Sequence, residues 1–202
     1  MKKIHPWILN IGSGKIKVPI EDYVPLNRTY SLVNIDNNYF NSDNPDEIEK
    51  YYQSLSRDKL KFNCRYDIFE FMERTIMKFD YIFIYRFVEH ISRDKLLYFI
   101  YLLSTITEKD ATIDLISPNY QLLAEMILEE KPLKDPDFDK NDIIISTELF
   151  NEINDPHLNV TTPDRIKRLF EYEGRFVVID YVQTKCFDGR DIYFRSIIRR
   201  VI

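Results

Sequence analysis

Short apolar runs alternate along this chain with stretches whose apolar residues recur at helical spacing. Trp7–Ile11 is an apolar run that stops at a glycine and predicts a buried strand. Tyr30–Ile35 predicts a second strand and Lys59–Asn63 a short third. Phe79–Tyr85 is the clearest buried strand of the chain, and Thr112–Ser117 predicts another that stops at Pro118. Phe176–Val182 and Asp191–Ile198 are the last two, and the Phe187-Asp188-Gly189-Arg190 turn between them predicts an antiparallel hairpin.

Helices are expected between these strands. Lys15–Asn27 is a weak candidate broken by Pro19 and Pro25, and Asp43 or Asn44 would cap one starting near Pro45. Asp67 opens a helical stretch with Phe69, Met72, Ile76 and Met77 near one face. Ser92 caps the next, with Leu96, Leu97, Phe99, Ile100, Leu103 and Ile106 as its apolar side. Tyr120–Glu130 predicts a helix, and Lys131–Asp142 an exposed loop within an insertion near residues 131–160. Thr162-Pro163-Asp164 starts a helix with Ile166, Leu169 and Phe170 inward, ended by Gly174. The alternation predicts an α/β fold: one domain over residues 1–202, a mostly parallel sheet with helices on both faces.

Composition narrows the function classes. With 202 residues and 45% hydrophobic content, the chain can bury a sizeable core. A net charge of −5 gives no overall attraction to nucleic acid or acidic lipid, although Arg195, Arg199 and Arg200 are candidates for a local basic patch. No signal peptide or membrane-spanning run stands out, so a cytoplasmic location is expected. Cys64 and Cys186 lie far apart and match no metal spacing, which predicts buried thiols. Richness in Ile, Asn, Lys, Tyr and Phe, with Ala111 and Ala124 the only alanines, leads to the expectation of an AT-rich genome such as that of a phage or endosymbiont.

The candidate chemistry begins at Leu9-Asn10-Ile11-Gly12-Ser13-Gly14-Lys15, where a strand runs into a glycine turn. A second strand, Leu32-Val33-Asn34-Ile35-Asp36, then ends in a carboxylate. That is the layout of a nucleotide-type cofactor site: glycines let backbone approach the ligand, and the acid takes the ribose hydroxyls. The blander reading is a tight turn at Gly12 and Gly14 and a turn residue at Asp36. Asp67 reads as a helix cap. Tyr85 and Arg86 leave a strand at the edge where such folds bind ligands. Glu89-His90 is the candidate catalytic pair, since a histidine serves as general base near neutral pH and a carboxylate raises its basicity. The alternative is a histidine bonded within the fold or lining a pocket.

Four segments together resemble the class I S-adenosylmethionine-dependent methyltransferases. They are Leu9–Gly14, Val33–Asp36, Phe79–Ile91 with its Glu89-His90, and Ile113–Asn119. The resemblance implies a three-layer Rossmann-like fold whose seven-stranded sheet ends in an antiparallel hairpin. It also implies S-adenosylmethionine as cofactor. Asn10, Gly12, Ser13, Gly14, Asp36, Asp67, Ile68, Tyr85 and Arg86 would then line the cofactor side, with Glu89 and His90 on the acceptor side. Asn10 stands where many members carry an acid, and Ile16 where many carry a third glycine. Some members bind a metal through Glu-x-x-Glu-His; here the first position is Arg86, so no metal is expected. Pro118-Asn119-Tyr120 follows the fifth strand rather than the fourth and does not imply DNA methylation. Asp155-Pro156-His157 is a candidate lid. The acceptor expected is a small molecule, sugar or protein rather than nucleic acid. The rival readings are an inactive binding or assembly module and a different nucleotide-binding enzyme.

Overall fold

The computed structural model of the chain describes residues 6–12, 30–35, 60–64, 67–128, 158–184 and 192–202. Strands β1 (Trp7–Ile11), β2 (Ser31–Ile35), β3 (Leu60–Cys64), β4 (Phe79–Tyr85) and β5 (Thr107–Pro118) are parallel neighbours. β7 (Tyr193–Arg200) lies antiparallel to β5, and β6 (Phe176–Thr184) lies antiparallel to β7. The sheet has seven strands in the order β3-β2-β1-β4-β5-β7-β6. The chain leaves β1 toward β2 on one side, while β4 takes the other. This reversal is a topological switch point at the carboxyl ends of β1 and β4, the place where open α/β sheets hold ligands.

Alternation within the strands builds two apolar layers. Leu9, Ile11, Val33, Ile35, Ile82, Ile84, Ile113 and Leu115 face helices α1 (Ile68–Arg74), α2 (Arg93–Ile106) and α4 (Pro163–Glu171). Ile8, Leu32, Phe83, Tyr85 and Ile116 face the other way, and α3 (Tyr120–Leu128) adds Tyr120 and Leu123 there. Each fully buried aliphatic side chain in these layers contributes roughly 1.5–3 kcal/mol.

Local signals set the element ends, and several positions differ from the sequence expectation. Helix α1 stops at Arg74 because Thr75 turns extended (ψ 136), so Ile76 lies beyond the helix and is 95% exposed. Leu97 belongs to the outer side of α2, with Leu102 taking an inner position. β5 starts at Thr107, directly after α2 and ahead of the expected Thr112. Asp110, at φ 63, lets the chain pass through a register shift there. Ser92 sits at the N-cap of α2, but its hydroxyl bonds Asp94 instead of a backbone amide and lowers that carboxyl's pKa. Thr162 does accept from Arg165 N (3.2 Å), with Pro163 in the first turn. The expected segments Lys15–Asn27, the helix near Pro45, residues 129–157 with Asp155-Pro156-His157, and the Phe187–Arg190 turn lie outside the described residues, as do Cys186 and the Cys64 side chain.

Candidate functional site

Gly12 turns the chain out of β1 at φ +65, and its N–H donates to Ile35 O (3.1 Å), tying the exits of β1 and β2. A Cβ at this position would sit 2.7 Å from Phe87 Cδ2 and 2.9 Å from Phe87 Cβ. Only glycine fits both the left-handed backbone and the closeness of Phe87, two residues past the end of β4. Ser13, Gly14 and Asp36 lie outside the described residues.

Asn10 and Asn34 stand side by side in the β1–β2 register. Asn10 Nδ2 donates to Asn34 Oδ1 (2.9 Å). Asn10 is 2% exposed, and its Oδ1 finds no hydrogen-bond partner among the described residues. A buried amide oxygen left this way loses roughly 1–3 kcal/mol, so it calls for a donor.

Asp67 is exposed and caps α1, its Oδ1 accepting from Glu70 N (3.0 Å); the cap alternative is thus realised. The side chain of Ile68 is buried in the core beneath it. Tyr85 does not reach the rim through its side chain. Its ring is buried, and its hydroxyl donates to Asp114 Oδ2 (3.0 Å). Asp114 is also held by Arg195, through Nε to Oδ1 (2.9 Å) and Nη2 to Oδ2 (2.8 Å). Arg195 is therefore committed to a buried acid 1% exposed, not to an outward basic patch. Arg200, the second patch candidate, covers the Phe176 ring at 5.4 Å.

Arg86 takes a left-handed backbone (φ 51), and its N–H donates to Ile116 O (2.8 Å). Its guanidinium lies over the ring of Tyr193 at the start of β7, 5.5 Å from the centroid. The chain then forms a short 3-10 turn, Val88–His90. His90 is half-buried. Glu89 is 0% exposed, and its Oε2 lies 3.0 Å from Ser117 Oγ near the end of β5. The carboxyl expected to serve a catalytic pair is turned inward, because successive residues of a 3-10 turn point about a third of a circle apart. Its backbone oxygen accepts from Leu158 N (2.6 Å) and Asn159 N (3.0 Å), strapping residues 158–161 across the turn. Among the described residues, no group of His, Cys, Asp and Glu side chains is arranged to hold a metal ion. No helix among them is long and apolar enough to cross a membrane.

Sequence reasoning passed over the Asp114–Arg195–Tyr85 cluster and the Ser117–Thr161 contacts. A signal for the first was present: a lone acid inside the apolar run Ile113–Ile116 needs a buried partner.

No family model matches the chain, and no curated protein sequence matches it. Solved structures do. An S-adenosylmethionine-dependent methyltransferase from Methanosarcina mazei aligns over 99% of this chain and 94% of its own, at TM-score 0.57 and 15% identity. The 1,6-didemethyltoxoflavin N1-methyltransferase of Burkholderia thailandensis, solved with that compound and S-adenosylhomocysteine, covers 98% of this chain and 72% of its own. Its TM-score is 0.63 at 12% identity. The N-methyltransferase NodS of Bradyrhizobium japonicum covers 98% and 86%, at TM-score 0.55 and 13% identity. Strand order, antiparallel end and end-to-end superposition agree: the chain has the Rossmann-like fold of the S-adenosylmethionine-dependent methyltransferases.

Proposed function

We propose that this chain is an S-adenosylmethionine-dependent methyltransferase acting on a small-molecule acceptor. The observation that carries the reading is the buried Asn10 Oδ1 beside the Gly12 turn, an acceptor with no hydrogen-bond partner among the described residues. The α-ammonium of the cofactor's methionine part is such a donor. Gly12 supports the same reading, since a bare backbone at the β1 exit lets a ligand lie close.

In this reading Gly12, Ser13 and Gly14 offer backbone to the methionine part, and Asp36 takes the ribose hydroxyls. Asp67 keeps one carboxylate oxygen for the adenine amino group while the other caps α1, and Ile68 offers its backbone. Tyr85 contributes backbone at the strand end, its phenol being engaged by Asp114. Arg86, stacked over Tyr193, is assigned to the cofactor carboxylate or to an acidic acceptor.

When bound, the cofactor supplies a methyl group on a sulfonium that is already a good leaving group. The protein's work is then alignment and, for a weak nucleophile, removal of a proton. His90 is the residue assigned to take that proton, and the strap at residues 158–161 holds its turn in place. The small-molecule acceptor draws support from the Burkholderia structure, which holds bound 1,6-didemethyltoxoflavin.

A thermal-melt titration with S-adenosylmethionine, S-adenosylhomocysteine and, as control, NAD tests the reading. A native-state ligand at ~100 times its dissociation constant adds about 2.7 kcal/mol. A rise in Tm with the two methionine compounds, lost in Asp36→Ala, is expected. No rise at millimolar ligand would sink the proposal in favour of a binding module, and a rise with NAD alone in favour of another nucleotide enzyme.

A further inference from the structure

The amino edge of the sheet, at the far end of the strands from the Gly12 turn, gathers two guanidiniums. Phe176 at the start of β6 pairs with Arg200 at the end of β7, and Val201 N donates to Arg175 O (2.9 Å). The β6–β7 pairing thus makes Arg175 and Arg200 neighbours. Arg200 covers the Phe176 ring at 5.4 Å, and Arg175 covers the ring of Tyr101, on α2, at 5.1 Å. Arg175 is braced further: its Nη1 donates to Ser104 Oγ (2.9 Å), and its Nε meets Glu173 Oε2 (2.9 Å). Arg200 has no such support among the described residues. Its Nη1 is buried with no hydrogen-bond partner, and no carboxylate pairs with its guanidinium. Glu173 is engaged by Arg175, and Glu108 and Asp110, in the irregular start of β5, form no ion pair with Arg200.

Two like charges held together repel, and burial of one adds to the penalty. Burial and the charge of Arg175 both push the Arg200 guanidinium below its ordinary pKa. A guanidinium does not escape by losing its proton, so the pair calls for a counter-ion. An anion between the two would remove both penalties. Arg175 Nη2 and the outer nitrogens of Arg200 are the donors left for it, and the rings beneath hold both planar forks in place. A carboxylate brings two oxygens and one charge. A phosphate group brings three oxygens and about −1.5 to −2 charges, which matches two cations better. We propose that Arg175 and Arg200 form an oxyanion site at the amino edge of the sheet that takes a phosphate group, as the free ion or as a small phosphate monoester. The paired stretch Thr112–Pro118 of β5, roughly 20 Å long, separates it from the carboxyl edge, so it is distinct from the cofactor and acceptor side.

Thermal melts of the cofactor-free chain in sodium phosphate, glycerol phosphate and sodium acetate, each against sodium chloride of equal ionic strength, test the proposal. The wild type is expected to gain Tm along a curve that saturates with phosphate. Arg200→Gln removes one charged fork and should weaken the apparent affinity about tenfold or more. Asp36→Ala, on the cofactor side, should leave it unchanged. Phosphate also favours folding through its exclusion from protein surface, but that effect does not saturate and is shared by wild type and variant. A rise that never saturates, or one that R200Q shows in full, overturns the proposal. An equal rise in acetate overturns the assignment to phosphate. A saturable rise with either phosphate compound supports it, and the tighter of the two tells the free ion from the monoester. Should R200Q fail to fold, Arg175→Gln takes its place with the same expectation. No cofactor or acceptor enters these melts, so their outcome is separate from that of the methyltransferase reading.

Discussion

Replacing Gly12 by alanine sets two penalties on one residue, and the structure separates them. The first is backbone: φ is +65 at Gly12, where an L-residue loses about 1–2 kcal/mol. The second is overlap. The new Cβ would lie 2.7 Å from Phe87 Cδ2, well inside the ordinary ~3.5–4.0 Å carbon contact, and overpacking of this sort costs about 1–3 kcal/mol. The sum, about 2–5 kcal/mol, corresponds to a Tm lowered by about 4–20 °C in a chain of this size. Gly174 supplies the control. Its φ is +67, yet a Cβ there meets nothing within 4 Å, so Gly174→Ala carries the backbone penalty alone. Denaturant melts of the ligand-free proteins give both values. The difference between the variants isolates the Phe87 overlap, and Gly12→Ala should cost at least ~1 kcal/mol more than Gly174→Ala. Equal costs would refute the claim that Gly12 is required by its closeness to Phe87, and with it the packing of the β1 exit against the β4 exit.

Other outcomes follow from the same contacts. Arg195→Ala leaves Asp114 buried with its charge uncompensated and should cost about 3 kcal/mol in denaturant unfolding; replacing Asp114 and Arg195 together by apolar residues should recover much of it. Asn10→Asp removes the donor to Asn34 Oδ1 and should lower ligand-free stability by about 1–3 kcal/mol. The same change should enlarge the melt shift produced by S-adenosylmethionine, because a carboxylate faces the ammonium better than an amide does. Ser92→Ala should raise the Asp94 carboxyl toward its ordinary pKa, as read by NMR titration. The depressed value means that this contact acts above the carboxyl's unfolded pKa and fades as pH falls through the folded one.

Strands whose two faces are both buried were legible from the chain because they read as unbroken apolar runs. Phe79–Tyr85 matches its strand residue for residue. Helix starts marked by Asp67 and Thr162 were legible through cap chemistry, which is local. Misreadings arose where distant packing decides. Ile76 has the spacing of a core residue, but the extended Thr75 ends the helix first. Asp114 and Arg195 are brought together only by the β5–β7 pairing, and no local pattern joins them. The cofactor side was suggested by glycine and acid spacing. Glu89 was visible as a candidate but not as a buried one, because its burial depends on Ser117 and Thr161 arriving from two later segments.

β7 is the last strand in sequence, yet it lies between β5 and β6. As the chain is made, β6 therefore emerges before any neighbour in its sheet is available, and Asp114 waits on the guanidinium that will neutralise it. Pulsed hydrogen exchange during refolding should find β6 amides protected no earlier than those of β7. The parallel half of the sheet can assemble in the order of synthesis, whereas the antiparallel half is completed by insertion of β7 between β5 and β6. The Arg86–Tyr193 contact is thus made only after β7 is inserted, and a chain not yet translated through β7 carries its glycine turn without it.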